Sequence, residues 1–346
     1  MIKGYASLKD TKSYFENRNI NTEKIRKTPW FYTLPMAIGT YLGNTSKEHS
    51  NLYIDSIIYG LINGVNYIDT ACIYREMESE RNIGNALNFV INEKKILKRN
   101  EIVISSKAGI IDNDFKLNIA PKEYINSILL KKEKIKREKQ IIEDEEVIYS
   151  IDVKLHEFSI KNSRKNLGLN TIDVMYIHNP ERVKMEIGEK NFFDALKNLI
   201  KFYEGEVKKG HIRFYGMATW YAFRVSEDNP MYISLEKVIK LAEEIGGKDH
   251  HFRFVQMPYN MKDNTAKTKK TQKVKNEYLS AIDAANKLEL KVTISAPLNQ
   301  CNDFKTGEFN SKELIKYVVE TKGVYAAMIG SKKRENLIKN LGTILD

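Results

Sequence analysis

Residues 66–87 read NYIDTACIYREMESERNIGNAL, and no other stretch says as much about both the fold and the chemistry of the chain. Tyr67 and Ile68 belong to a short apolar run that predicts a buried β-strand, so Asp69 falls where that strand ends. A charge at such a position is seldom left without a partner. Asp69 and the nearby phenol of Tyr74 are therefore candidate functional residues, and a partner for Asp69 is expected.

Two later stretches repeat this arrangement. EIVISSKAGI places Lys107 at the end of a second apolar strand, and TIDVMYIHNP places His178 at the end of a third. Strand ends that share one face are where parallel α/β folds assemble active sites. We therefore expect Asp69, Lys107 and His178 to meet at one end of the fold.

Strand-like and helix-like segments alternate along most of the chain. Apolar runs typical of strands begin near residues 35, 66, 101, 172, 212, 252, 291 and 324, and segments with helical periodicity follow them. One of these helices is expected at Glu277–Leu288. Eight βα units in one run predict an α/β protein with a single closed (β/α)8 TIM barrel, spanning residues 1–346, rather than an open sheet.

Two segments lie outside this alternation. Residues 1–34 have weak periodicity and are expected to form a cap over one end of the barrel. Residues 111–155 contain the charged run KKEKIKREKQIIEDEEV, which lacks a stable apolar stripe and predicts an insertion after the third strand. Such runs are typically solvated and mobile. The alternative is a lid, because a loop leaving that strand end rises beside the active site.

Composition limits the classes of protein to consider. With 42% apolar and 29% charged residues, the chain is ordinary globular material. No apolar run reaches the roughly 18 to 20 residues of a membrane span. The N-terminus lacks a signal-like apolar stretch, so a cytoplasmic location is expected. Cys72 and Cys301 are far apart and outside any CxxC or Cys/His cluster, so we expect reduced thiols and no metal site.

The net charge of +11 is unevenly distributed. Lysine-rich runs at 131–139 and 262–275 lack the interleaved aromatic residues or recognition helix that nucleic-acid readout requires, so no specific nucleic-acid binding is expected. The cluster Lys332, Lys333 and Arg334 differs, because the small residues Gly330 and Ser331 precede it. Small residues before a cationic helix start favour a phosphate site.

The motifs around the candidate residues resemble those of the aldo/keto reductase family. IDTA, Y-x-x-x-x-SER-x-IG, SSKAG and IHNP surround Asp69, Tyr74, Lys107 and His178 in the order and context of that family's catalytic tetrad. GHIRFYGMATW, FVQMPYN, VTISAPL and MIGSKKRENLIKNL extend the resemblance over most of the chain. GTYLG, HNP and GMATW are most similar to a little-described subgroup, so the resemblance implies a carbonyl reductase without naming its substrate.

The resemblance implies a role for each member of the tetrad. Tyr74 would be the general acid, Lys107 would lower the phenol pKa from its reference value of about 10, and Asp69 would hold Lys107 charged. His178 would orient the substrate carbonyl through a hydrogen bond. Each residue alone also fits a structural role, but the four together favour chemistry.

The same resemblance implies NADPH or NADP, bound in extended form across the barrel mouth. The chain has no GxGxxG fingerprint, and GEVKKGH fails as a phosphate loop because His211 stands at the lysine position. Lysines near the adenosine end favour a 2′-phosphate and hence NADPH over NADH. The implied cofactor-binding residues are Thr219, Gln256, Ser295, Leu298, Gly330, Ser331, Lys332, Asn336 and Asn340.

The chain also departs from the family pattern. Ala218 and Thr219 stand where many members have Ser-Asn, Ser295 stands where an aromatic residue often stacks on the nicotinamide, and Lys339 replaces a common adenine-binding glutamate. Weaker cofactor binding than usual is therefore expected.

The substrate and the biological role are left open by the sequence. Tyr41 and Trp220 are candidate walls of an apolar substrate pocket, or they only pack. The expected partner is a small-molecule carbonyl compound. An alternative function is that of a cofactor-binding regulatory or redox-sensing subunit with little turnover, as in the family's potassium-channel β subunits.

Overall fold

The computed structural model describes residues 1–301 and 310–346, and in this part of the chain eight parallel strands form a closed barrel. Each strand pairs with the next along the chain, and the last pairs with the first. The predicted (β/α)8 barrel is therefore confirmed. The strands are β1 (Met36–Gly39), β2 (Tyr67–Asp69), β3 (Val103–Ala108), β4 (Ile172–His178), β5 (Ile212–Ala218), β6 (Phe252–Pro258), β7 (Lys291–Ser295) and β8 (Val324–Gly330).

Helices follow the strands, and several of them begin at side chains that accept backbone N–H groups, namely Ser46, Asp152, Ser234 and Asn310. Within the described residues these helices are α1 (Lys47–Ile62), α2 (Glu78–Leu87), α3 (Val153–Leu167), α4 (Glu181–Lys208), α5 (Leu235–Gly246), α6 (Ala281–Lys287), α7 (Ser311–Val319) and α8 (Arg334–Leu345). A π-helical segment, Asn88–Glu93, continues α2, and α4 is kinked at Gly188.

The helix expected at Glu277–Leu288 is wrong in its first turn. Glu277–Ser280 is a strand that pairs antiparallel with Lys270–Val274. Lys275 and Asn276 join the two strands, and both have left-handed backbone (φ 48° and 68°), as a tight hairpin turn requires. The helix starts only at Ala281, because the side chain of Ser280 caps it by accepting from the Asp283 N–H.

Alternate residues along the strands pack on opposite sides of the barrel wall. Met175 and Ile177 of β4 belong to the apolar cluster that includes the helices. Val174 and Tyr176 belong to a second cluster that fills the barrel interior together with Phe214. The barrel is therefore a packed core rather than a pore, and it leaves room for a site only at its ends.

Residues 1–34 lie against the N-terminal ends of the strands. The ring of Trp30 is 4.3 Å from that of Phe214 near the start of β5, measured between centroids. The N–H of Ala6 donates to Asp173 at the start of β4, and the same carboxylate forms a buried ion pair with Arg99 at 2.7 Å. Because this end is covered, the open end of the barrel in the described part of the chain is the one formed by the C-terminal ends of the strands.

The insertion after β3 has regular structure that the charged sequence did not indicate. It contains a helical turn at Pro121–Glu123 that continues as a π-helix, Tyr124–Lys132. A hairpin of Ile141–Glu143 and Val147–Tyr149 follows, and its second strand also pairs with Ile110–Ile111. The apolar residues that hold it to the barrel are Cys72, Met77, Ile111, Tyr124, Ile125, Leu129, Ile135, Ile148 and Leu155.

Three further observations on membrane spans, metal sites and cysteines apply to the described residues. In the described ranges no helix is both long and apolar enough to cross a bilayer. No group of three or more His, Cys, Asp or Glu residues there is arranged to hold a metal ion. Cys72 is buried with a free thiol, and the side chain of Cys301 lies outside the described part of the chain.

Candidate active site

The structure brings Asp69, Tyr74, Lys107 and His178 together at the C-terminal end of the barrel. Asp69 and His178 are the last residues of β2 and β4, and Lys107 lies one residue before the end of β3. Tyr74 lies in the turn after β2. Asp69, Tyr74 and His178 line a cavity of about 390 Å³ at the barrel mouth.

Lys107 and Asp69 form a buried ion pair at the floor of this cavity. The ammonium of Lys107 donates to Asp69 Oδ2 at 2.6 Å and to the carbonyl of Thr70 at 2.7 Å. The other carboxylate oxygen accepts from Ser105 Oγ at 2.6 Å. Burial opposes the charge on Lys107, but Asp69 and Tyr74 outweigh it and raise the pKa of Lys107. The lysine is therefore held as a cation, and Asp69 has the partner that its position predicts.

The Lys107 cation lies next to Tyr74. Its Nζ is 4.8 Å from the centre of the phenol ring. Burial raises the pKa of Tyr74, and the attraction of Lys107 lowers it by less, so the net direction is upward. The sequence leads us to expect a phenol pKa below its reference value, but the pKa is raised instead, because desolvation outweighs the attraction of Lys107. The phenol is protonated at neutral pH and can act as an acid.

His178 is a neutral imidazole in this site. Burial and the Lys107 cation both lower the pKa of His178 well below its ordinary value. Its ring centre is 6.1 Å from that of Tyr74. Its Nδ1 is buried and makes no hydrogen bond within the described part of the chain. A neutral imidazole beside a phenol can orient a carbonyl oxygen without competing as a charged acid.

The backbone that follows Tyr74 is strained. Arg75, Glu76 and Met77 have φ values of 53°, 51° and 67°, a left-handed turn made without glycine. Each such residue costs about 1 to 2 kcal/mol, so contacts elsewhere must hold the turn. The Arg75 side chain provides them by donating to the Asn44 carbonyl at 2.7 Å and to Asn82 Oδ1 at 2.7 Å. This turn fixes the position of Tyr74.

Aromatic side chains form the outer wall of the cavity. Tyr41 and Trp220 line it, and the Tyr41 ring is 5.0 Å from that of Tyr74. Glu181 is buried and accepts the backbone N–H of Trp220 at 2.6 Å, which fixes that residue. Tyr149 of the insertion completes the wall.

Tyr149 was missed by sequence reasoning because it lies in the charged insertion, far from every motif. The insertion is fastened beside the cavity by Arg182 at the start of α4. This guanidinium pairs with Glu143 and lies 5.6 Å from the centre of the Tyr149 ring. The hairpin therefore contributes a residue to the site rather than only a solvated surface.

The residues implied for the nicotinamide end line the cavity. These are Thr219, Gln256, Ser295 and Leu298, and Gly330, which the resemblance implies for the phosphates, lines it as well. Gln256 is buried, and its amide donates to Asp69 Oδ1 at 3.2 Å and to the hydroxyl of Thr293 at 3.3 Å. The hydroxyl of Thr219 is buried without a hydrogen-bond partner among the described residues.

The residues implied for the phosphate end differ in how deeply they are buried. Ser331 is buried, and its hydroxyl accepts from Asn340 at 3.1 Å, so Asn340 supports the serine. Asn336 is exposed. Lys332 is half-buried, and its Nζ lies 2.9 Å from Nε2 of His49 on α1.

These surroundings fit an extended nicotinamide cofactor. Gly39 and Gly330 are paired neighbours in β1 and β8, so the cavity edge between them carries no side chain. An added Cβ at Gly330 would meet only Leu42, at 3.9 Å. The buried hydroxyl of Thr219 and the amide of Gln256 offer polar groups at one end, and Lys332 offers a cation at the other.

Comparisons with known proteins agree with this fold. No curated protein matches the sequence. Solved structures with the same fold include an aldo-keto reductase from Bacillus halodurans in its holo form (14% identity, 93% of this chain and 91% of that chain, TM-score 0.61). Others are a Klebsiella pneumoniae aldo-keto reductase in complex with NADPH (15%, 92% and 89%, 0.59) and a glycerol dehydrogenase from Gluconobacter oxydans (15%, 94% and 91%, 0.61).

Identities this low show the fold alone, and the family follows from the sequence. The family model described as the aldo/keto reductase family matches residues 35–277, more than half of the chain. The matched residues include all four residues of the tetrad and the strands that carry them. The chain therefore belongs to the aldo/keto reductase family.

Proposed function

We propose that the protein is an NADPH-dependent reductase of aldehydes or ketones with Tyr74 as the general acid, and that in reverse it oxidises the corresponding alcohols with NADP as the hydride acceptor. One observation carries the proposal. A buried Lys107, paired with Asp69 at 2.6 Å, lies beside a protonated phenol and a neutral imidazole at the floor of an open cavity. Consumption of NADPH in the presence of aldehydes tests it.

Cofactor binding in this proposal uses both sides of the barrel mouth. Thr219, Gln256, Ser295 and Leu298 hold the nicotinamide end, and the segment after β8 holds the phosphates through Gly330, Ser331, Lys332, Asn336 and Asn340. When bound, the reduced nicotinamide supplies a hydride to the carbonyl carbon. The solved relative from Klebsiella pneumoniae is in complex with NADPH, which supports this choice of cofactor.

The residues of the tetrad handle the proton. Tyr74 Oη donates its proton to the carbonyl oxygen as negative charge develops there. Lys107 stabilises the phenolate that is left behind, and Asp69 keeps Lys107 charged and in place. His178 donates a hydrogen bond that orients the carbonyl toward the phenol. Tyr41, Tyr149 and Trp220 shield the reacting groups from water.

The wild-type protein is expected to bind NADPH more tightly than NADH, by about tenfold or more if one contact contributes the 1.5 to 3 kcal/mol of a hydrogen bond to a charged group. The double variant Lys332→Glu, Lys333→Glu should lose most of this preference while NADH binding changes little. Fluorescence titration measures both dissociation constants. Lys312→Glu on α7, an exposed lysine on another helix, is the matched control. Equal affinities in the wild type would contradict a 2′-phosphate site at these lysines.

Substitution of Tyr149 by alanine is expected to raise KM for aromatic aldehydes by about two- to tenfold, because one aromatic contact contributes ~0.5–1.5 kcal/mol. The rate constant kcat should change less, because the proton donor is intact. Steady-state kinetics measure both. Tyr278→Ala removes an exposed tyrosine from the hairpin before α6 and should leave KM unchanged. An unchanged KM for Tyr149→Ala would mean that the insertion does not contact the substrate.

A further inference from the structure

His49 and Lys332 face each other where the first and last units of the barrel meet. His49 lies in the first turn of α1, and Lys332 lies between β8 and α8. Lys332 Nζ is 2.9 Å from His49 Nε2, and His49 Nδ1 is 2.9 Å from the backbone N–H of Asn44. Both side chains are half-buried. The contact lies next to the cavity, whose lining includes Leu42 and Gly330.

The hydrogen bonds of this pair do not balance. A neutral imidazole has one N–H donor and one acceptor nitrogen, whereas an ammonium has three donors and no acceptor. Because Nδ1 accepts from Asn44, the proton of the neutral ring lies on Nε2 and points at Lys332. Two hydrogen-bond donors, the Nε2–H of His49 and the ammonium of Lys332, therefore face each other without an acceptor between them, unless Lys332 loses a proton. Burial, Lys333 and Arg75 lower the pKa of Lys332, in the direction that this conflict requires.

The charges around the pair are mostly positive. Arg75 and Lys333 act on Lys332 as repelling charges, and Glu48 is the attracting one. Arg334 is turned toward α1, where it stacks 4.3 Å above Tyr59 and lies 3.8 Å from Asp55. An acceptor with negative charge would bind both facing donors and relieve the repulsion. A phosphate monoester has this chemistry.

The loop beside the pair leaves room only because it contains a glycine. Gly43 has a φ of 117°, and an added Cβ would lie 2.9 Å from His49 Nδ1 and 3.5 Å from Lys332 Cδ. A side chain there would push the imidazole away from the lysine. The loop backbone thus orients His49 through the Asn44 N–H and, at Gly43, leaves the space that the imidazole occupies.

We infer that His49 is a second ligand of a phosphate monoester, which it binds through its Nε2–H together with the Lys332 ammonium. This inference rests on the proposed function, in which the monoester is the 2′-phosphate of NADPH. Two oxygens of the phosphate accept, one from each side chain, and no proton needs to move on His49. The first βα unit thereby takes part in choosing NADPH over NADH.

Two substitutions separate this role from a purely structural one. Asparagine retains an acceptor near the position of Nδ1, and glutamine retains a donor near the position of Nε2. His49→Asn should weaken NADPH binding by roughly tenfold, the value of a hydrogen bond to a charged group, and leave NADH binding unchanged. His49→Gln should retain more of the NADPH affinity. If His49 only holds the Asn44 loop, the order of the two variants is reversed, and that result would overturn the inference.

Fluorescence titration of the protein with NADPH and with NADH, in buffers with and without inorganic phosphate, shows whether the phosphate group bound at His49 is that of the cofactor or a free phosphate. Phosphate should compete with NADPH in the wild type and not with NADH, and the competition should be lost in His49→Asn. If phosphate raises the melting temperature through His49 while NADPH and NADH bind equally well, the assignment to the cofactor is wrong. If the wild-type protein binds NADPH more tightly than NADH through His49 but reduces no carbonyl compound, the phosphate site is supported and the proposed reductase function is contradicted.

Discussion

Replacement of Tyr74 by phenylalanine is expected to lower kcat for carbonyl reduction by about 10²- to 10⁴-fold, the contribution of a general acid. The hydroxyl is the proton donor in the proposed reaction, and the ring contacts with Tyr41 and His178 remain. NADPH affinity should therefore stay close to the wild-type value. Rates of NADPH consumption and fluorescence titration measure the two quantities separately.

Tyr41→Phe is the matched control for that variant. It removes the same hydroxyl group from a neighbouring ring, 5.0 Å away at the edge of the same cavity. Tyr41 has no contact with Lys107 in the proposed mechanism, so this variant should retain most of the activity. Comparable losses in both variants, or a Tyr74→Phe enzyme that turns over near the wild-type rate, would remove Tyr74 from its proposed role.

Lys107→Met is expected to reduce kcat by a similar factor, about 10²-fold or more, because the phenolate loses its stabilising cation. The pH profile gives a second readout. A general acid works in its protonated form, so reduction should fall as pH rises through the pKa of Tyr74. Lys107 opposes the burial that raises this pKa, so its removal raises the pKa further. The alkaline fall in activity should move to higher pH or disappear in the variant.

Lys107→Met also leaves Asp69 without its partner, so folding must be checked. Removing one member of a buried ion pair costs about 3 to 5 kcal/mol. Urea unfolding shows whether the variant is folded at the assay temperature, and Lys107→Arg keeps the charge for comparison. His178 stays neutral because burial lowers its pKa, so it should add no alkaline limb. An unchanged alkaline limb in a folded Lys107→Met protein would contradict the pairing with Tyr74.

The site residues that could be predicted from the sequence are those that lie at the ends of strands. Asp69, Lys107 and His178 each follow an apolar run, and parallel strands bring their C-terminal ends to one face. Ser105, which holds Asp69, was missed although it lies two residues before Lys107. Side chains two residues apart on a strand point to the same face. The position of Ser105 could therefore have been predicted from this two-residue alternation alone.

Other parts depend on contacts between distant segments, which a local pattern does not encode. The left-handed turn after Tyr74 contains no glycine and is held by the Arg75 side chain. Tyr149 reaches the cavity because the insertion packs through scattered apolar residues such as Tyr124 and Leu129, hidden among lysines. His49 and Lys332 meet because β8 pairs with β1, and this closure joins the two ends of the barrel.

If this barrel reduces carbonyl compounds with NADPH, as we propose, the absorbance of NADPH should fall when the protein is mixed with a panel of aldehydes. Tyr74→Phe serves as the reference, because it should bind the cofactor but turn over about 10²- to 10⁴-fold more slowly. We expect steady, enzyme-dependent consumption of NADPH with at least one aldehyde, and a rate lower by that factor with the variant. A protein that binds NADPH tightly but consumes it equally slowly with and without every aldehyde would not be a carbonyl reductase, and this result would favour a cofactor-sensing subunit.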